Sequence, residues 1–107
     1  MHSLAEPATL AATPGVLRLD AEMTIANAAA LRECLVDAVA AAPGHLQLHL
    51  DGVHEFDSSG VQLLLSARRS LAERGHGLHI PAASTEVREA LALFGLDDLL
   101  DPPATAH

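Results

Sequence analysis

The densest run of chemically capable side chains in this 107-residue sequence is Phe56-Asp57-Ser58-Ser59-Gly60-Val61-Gln62. A carboxylate, two hydroxyls and a glycine just before an apolar-periodic stretch are the residue types that a helix start uses. Ser59, followed three residues later by Gln62, matches a capping box. Its hydroxyl would take the Gln62 amide while the Gln62 side chain reaches back. That arrangement leaves Ser58 just outside the helix, its hydroxyl free and close to unpaired amides. A hydroxyl presented this way is accessible to a kinase, and a phosphate on it would meet a favourable helix dipole. The plainer reading is that Asp57, Ser58 and Ser59 do nothing but cap a helix. The local pattern leaves both open.

Other chemistries fit less well. A serine hydrolase lacks its G-x-S-x-G elbow, and His54 is near Ser58 in sequence without being marked as a base. The seven histidines raise metal binding. His45 and His49, four residues apart on a strand, stand roughly 13 Å from each other and cannot chelate one ion. His76 and His79 have no cysteine or evident acidic ligand beside them, so solvated histidines and no metal site are expected. Cys34 is the single cysteine. It excludes an intrachain disulfide, fits a reducing compartment and reads as a small core residue.

Composition excludes more. All six bases are arginine, so a lysine-dependent P-loop, a Schiff-base enzyme and a standard receiver domain are ruled out. A net charge of −8 with 2% aromatic residues lacks the charge and stacking surface of a nucleic-acid binder. No apolar run approaches the ~18 residues of a membrane span, and the N-terminus has no basic region. A small, acidic, cytoplasmic protein without membrane insertion or cofactor is the expectation.

The elements that must position the 56–62 run follow from periodicity. Residues 16–19 alternate as a strand, pairing with residues 8–12. Between about 27 and 41, Ala28, Leu31, Leu35, Ala38 and Ala42 mark one helix face, and Pro43-Gly44 stops it. Residues 45–50 alternate strictly, with Leu46, Leu48 and Leu50 on one side. A loop over 51–57, carrying Asp51, Glu55 and Asp57, enters a second helix over about 59–73. There Val61, Leu64, Leu65, Leu71 and Ala72 share a face, with Arg68, Arg69 and Glu73 on the wet side. Leu78-His79-Ile80 reads as a short strand, and Ser84 caps a third helix with Val87, Ala90, Leu91 and Phe94 aligned. Gly95 ends that helix, and residues 97–100 suggest a last short turn. The order is α/β in one domain over 1–107, its core about 15–100 and its ends at 1–8 and 101–107 loose. About four strands are available.

Three stretches, in this order and spacing, resemble the STAS domains, which include the bacterial anti-sigma factor antagonists. They are Ala21-Glu22-Met23-Thr24 leading into Ala28-Ala29-Ala30-Leu31-Arg32, the run from Leu46 through Asp57-Ser58-Ser59-Gly60 to Arg69, and Val87-Arg88-Glu89-Ala90-Leu91 with Phe94-Gly95-Leu96. The resemblance implies a small mixed sheet with helices packed mainly on one face, and no enzymatic activity. It implies that Ser58 is the phosphoacceptor of a partner anti-sigma factor or related serine kinase, reset by a phosphatase. Asp57, Ser59 and Gly60 would support the site, and Glu55, Gln62 and Arg69 would form the partner-binding surface. Two positions depart from the family pattern, because Ala21 and Thr24 stand where glycine and aspartate are usual. The Met23-Thr24-Ile25 wording is closer to STAS proteins found beside chemotaxis genes, or to the STAS subunit of lipid-transport ABC systems. This implies an alternative: a constitutive subunit docking on an ABC transporter ATPase, or a chemotaxis-associated adaptor, without phosphorylation. A homodimer is a further arrangement that an open sheet face would accommodate.

Overall fold

The computed structural model describes residues 9–101, with residues 9–13 as backbone. The chain starts with a hairpin, β1 (Thr9–Thr13) and β2 (Val16–Leu19), whose strands pair antiparallel. Gly15 turns it with φ of +88°, a conformation that a residue with a Cβ rarely adopts. A 3-10 turn over Ile25–Asn27 leads into α1 (Ala28–Ala41), followed by β3 (Leu46–Leu50). Then come α2 (Ser58–Ala72), β4 (Leu78–Ala83), α3 (Thr85–Leu93) and a final 3-10 turn over Asp97–Leu100. The sheet runs β1-β2-β3-β4, with β2, β3 and β4 mutually parallel. Parallel neighbours need crossovers, and α1 and α2 supply them. The result is a mixed α/β domain with its helices on one side of the sheet.

Period-two alternation decides which side. Leu46, Leu48 and Leu50 are fully buried, while Gln47 between them is exposed. Leu17, Leu19 and Ile80 join the same face, and Leu31 and Leu35 of α1, Leu64 and Leu71 of α2 and Val87 and Leu91 of α3 close over it. The opposite face presents Arg18, Gln47, His49 and His79, none of them buried. Cys34 packs half-buried against the core. β4 is an edge strand whose pairing with β3 slips by one residue between Gln47 and His49. Pro81 falls in that irregular stretch, where a missing N–H costs least.

Several expectations are corrected. α2 begins at Ser58 rather than Ser59, and its buried face is Gly60, Val61, Leu63, Leu64, Ala67 and Leu71. Ala72 is exposed and Leu65 only half-buried, because the helix phase is set by Leu64 and Leu71 lying on the sheet. Phe94 is 51% exposed, since α3 ends at Leu93 and the chain turns there through Gly95 with φ of +70°. Leu96 and Leu99 fill the space instead. β4 continues to Ala83, three residues beyond the expected strand. The loose ends expected at 1–8 and 101–107 lie, Asp101 apart, outside the described residues.

This burial pattern makes a two-sided prediction for β3. Leu48→Ala should cost about 2–5 kcal/mol, as buried leucine truncations do, whereas Gln47→Ala should stay within about 0.5 kcal/mol. Chemical denaturation of both variants measures the contrast.

Candidate functional site

Helix α2 starts where the backbone says it must. The Asp57 carbonyl accepts from the Gly60 N–H at 2.9 Å and the Val61 N–H at 3.3 Å, so Asp57 is the N-cap and Ser58 the first helical residue. The Asp57 side chain completes the cap, its Oδ1 accepting from the Ser59 N–H at 2.8 Å. The expected Ser59–Gln62 capping box does not form. Asp57 stands two residues earlier with an ionised acceptor, and it takes the Ser59 N–H itself. Either residue is a good cap by type, and the packing around Asp57 decides between them.

That packing comes from another part of the chain. The second carboxylate oxygen, Oδ2, accepts from the Ile25 N–H at 3.2 Å. Alongside it, Met23 and Phe56 form a short parallel bridge, with Met23 N–H to the Glu55 carbonyl at 2.9 Å and Asp57 N–H to the Met23 carbonyl at 3.1 Å. Met23 is fully buried under this seam. Partial desolvation pushes the Asp57 carboxyl up, but donors from Ile25, Ser59 and Gly60 together outweigh it and hold the group below its ordinary value. Sequence reasoning missed the part of Met23 and Ile25 because both contribute backbone groups. The neighbouring Glu22-Met23-Thr24 motif was the available signal.

The other flank of the 51–57 loop is fixed as firmly. Val53 is fully buried, and its carbonyl accepts a short hydrogen bond from the Ser84 hydroxyl. The same hydroxyl caps α3 by accepting from the Val87 N–H at 3.2 Å, and the Ser84 N–H donates to Leu50 at 3.2 Å. The acids of the loop are correspondingly dispersed. Asp51 is drawn toward the sheet by Arg18 at 2.7 Å. Desolvation raises the Asp51 carboxyl, yet its own backbone N–H and the Arg18 guanidinium lower it further than burial lifts it. His54 lies 3.6 Å from Glu86. Of the three acids expected to crowd Ser58, two are therefore engaged with specific partners.

The result is a framed corner. Ser58 is exposed at its tip, and among the described residues no group hydrogen-bonds its hydroxyl. The adjacent amides of Ser59, Gly60 and Val61 are all taken by Asp57, so they are not the unpaired donors that the sequence suggested. Glu55 and Gln62 are exposed beside Ser58, one on the loop and the other one helical turn along. Arg69 is exposed on the same stripe but about 16 Å away along the axis, so it belongs to the far end of α2. Among the described residues no three His, Cys, Asp or Glu side chains group as a metal site would. No helix there is long and apolar enough to cross a membrane.

Gly60 is the residue on which the corner closes. A Cβ there would lie 2.8 Å from Phe56 Cε2 and 3.0 Å from the Met23 carbonyl oxygen. Helical Gly→Ala changes ordinarily gain up to about 1 kcal/mol. Gly60→Ala should reverse that sign, because Phe56 and the Met23 strand must move. A lowered melting temperature relative to wild type tests it, and a raised one would contradict the close approach.

Over residues 8–101 the chain matches the family model described as "Mlab, STAS domain". No curated protein matches it. The match spans all four strands and all three helices, and it includes the Asp57-Ser58-Ser59-Gly60 corner that the fold isolates. The chain thus belongs to the STAS domain family, whose members are in general non-enzymatic regulatory or protein-binding modules.

Proposed function

We propose that this protein is a cytoplasmic regulatory module of the anti-sigma factor antagonist type, switched by reversible phosphorylation of Ser58 by a partner serine kinase. The observation that carries this reading is the combination at Ser58 of an exposed, unbonded hydroxyl with a fixed backbone. A phosphate adds about −1.5 to −2 charges. Because Asp57 already holds the nearest amides, the new charge would gain little beyond the helix dipole, which is worth ~0.3–1 kcal/mol at an exposed site. Glu55 and Asp57 would lie beside it. The added charge therefore acts outward, on whatever surface docks there, and leaves the fold nearly unchanged. A phosphatase acting on the same exposed position would restore binding.

Thr24 supports a second reading, in which the chain is a constitutive subunit docked on an ABC transporter ATPase. It stands where antagonists of the kinase-regulated type carry an acid, and it is half-buried beside the corner. In that reading Ser58 is contact surface without being a phosphoacceptor.

Intact mass of the protein isolated from its own cells, before and after phosphatase treatment, separates the two. The switch predicts a removable phosphate that maps to Ser58, and a Ser58→Asp variant that no longer retains the partner kept by Ser58→Ala. An unmodified protein recovered with a transporter ATPase and no kinase would overturn the switch in favour of the second reading.

A further inference from the structure

Helices α1 and α2 leave a groove of about 540 Å³ between them, floored by Leu35 and Ala67. Both helices cross between neighbouring parallel strands on the same face, so they run side by side in the same direction. Arg32, in the second turn of α1, consequently marks one end of the groove, and Arg74, just beyond α2, marks the other. Arg74 is fixed there, its Nη1 donating to the Val39 carbonyl at 2.6 Å. The lining thus holds two of the six arginines and, in Glu73, one of the fourteen acids of a chain whose net charge is −8. Val36 on its rim is 54% exposed. Gln62 also lines the groove, and it stands one helical turn from Ser58.

From this arrangement we infer that the groove receives an amphipathic helix of the partner protein, with an aliphatic ridge seated on Val36 and Ala67 and carboxylates near its two ends. The inference rests on the reading of the Ser58 corner as a partner-binding surface and extends that surface along α1 and α2. A helix is the occupant because the groove walls are helices whose main-chain groups bond internally, so an added strand would find no edge to pair with. The carboxylates follow from the guanidinium groups at each end, about 12 Å apart if measured from Arg32 to the level of Ala40 on α1. A second copy of this chain is disfavoured, because it would bring another −8 against the first.

Photo-crosslinking in the protein's own cells tests the idea, with benzoylphenylalanine placed at Val36 and, separately, at Glu55. The crosslinked peptide is sequenced by mass spectrometry, synthesised and titrated against the purified protein. Both positions should capture the same partner. The Val36 peptide should carry acids about two helical turns apart around an aliphatic stripe, and Arg32→Gln and Val36→Asp should each weaken it about tenfold. Both substitutions lie on exposed side chains, and an unchanged melting temperature shows that the fold is intact. Capture at Glu55 with none at Val36 would overturn the groove and leave the corner reading standing. So would a second copy of this chain at Val36, or a peptide there without paired acids. Silence at both positions would overturn the two together.

Discussion

One carboxylate holds the Ser58 end of this domain together. Asp57 accepts from Ser59 with one oxygen and from Ile25, 32 residues earlier in the chain, with the other. The first bond caps α2, and the second ties the segment before α1 to it. A serine cap has a single oxygen and could not do both, and an asparagine would present a donor where one acceptor is needed. Ionisation matters too, because charge-assisted bonds of this kind are the stronger ones. The carboxyl sits below its ordinary pKa of 3.8, so the stabilisation it provides is complete above that pH. It is lost as pH falls through the lower folded value.

The rest of the corner depends on that clamp. With the two segments joined, Met23 is sealed beneath them, Phe56 lies over Gly60, and the loop is held on its other flank by Ser84 and Val53. Ser58 is then displayed on backbone that is bonded on both sides. On the proposed reading, a group added there would change what the surface repels or admits without needing to move the fold. Short leucine-rich strands and three helices that bury aliphatic side chains suffice behind it, since the core needs only to hold a few loop ends in register.

Much of this was legible in the sequence, for identifiable reasons. Strict alternation in residues 45–50 marks β3 and its buried face, and Ser84, by type and place, marks the cap of α3. The Ser-to-Gln spacing that places Ser58 outside the helix is a sound local rule. It fails here because the competing cap, Asp57, is selected by a backbone amide 32 residues away, which no local pattern contains. The spacing of Phe94 from Leu91 fits an inward position on a helix, but the helix stops one residue short of it. Arg18 and Asp51 meet across neighbouring strands, a pairing fixed by sheet order rather than by sequence distance.

The clamp can be observed directly by following amide proton shifts through an acid titration. If Asp57 bonds both segments, the Ile25 and Ser59 amides will titrate together, with one shared midpoint below 3.8 that matches the Asp57 carboxyl carbon. An Ile25 amide that does not respond, or that follows a different midpoint from Ser59, would contradict the clamp on which this description of the Ser58 corner depends.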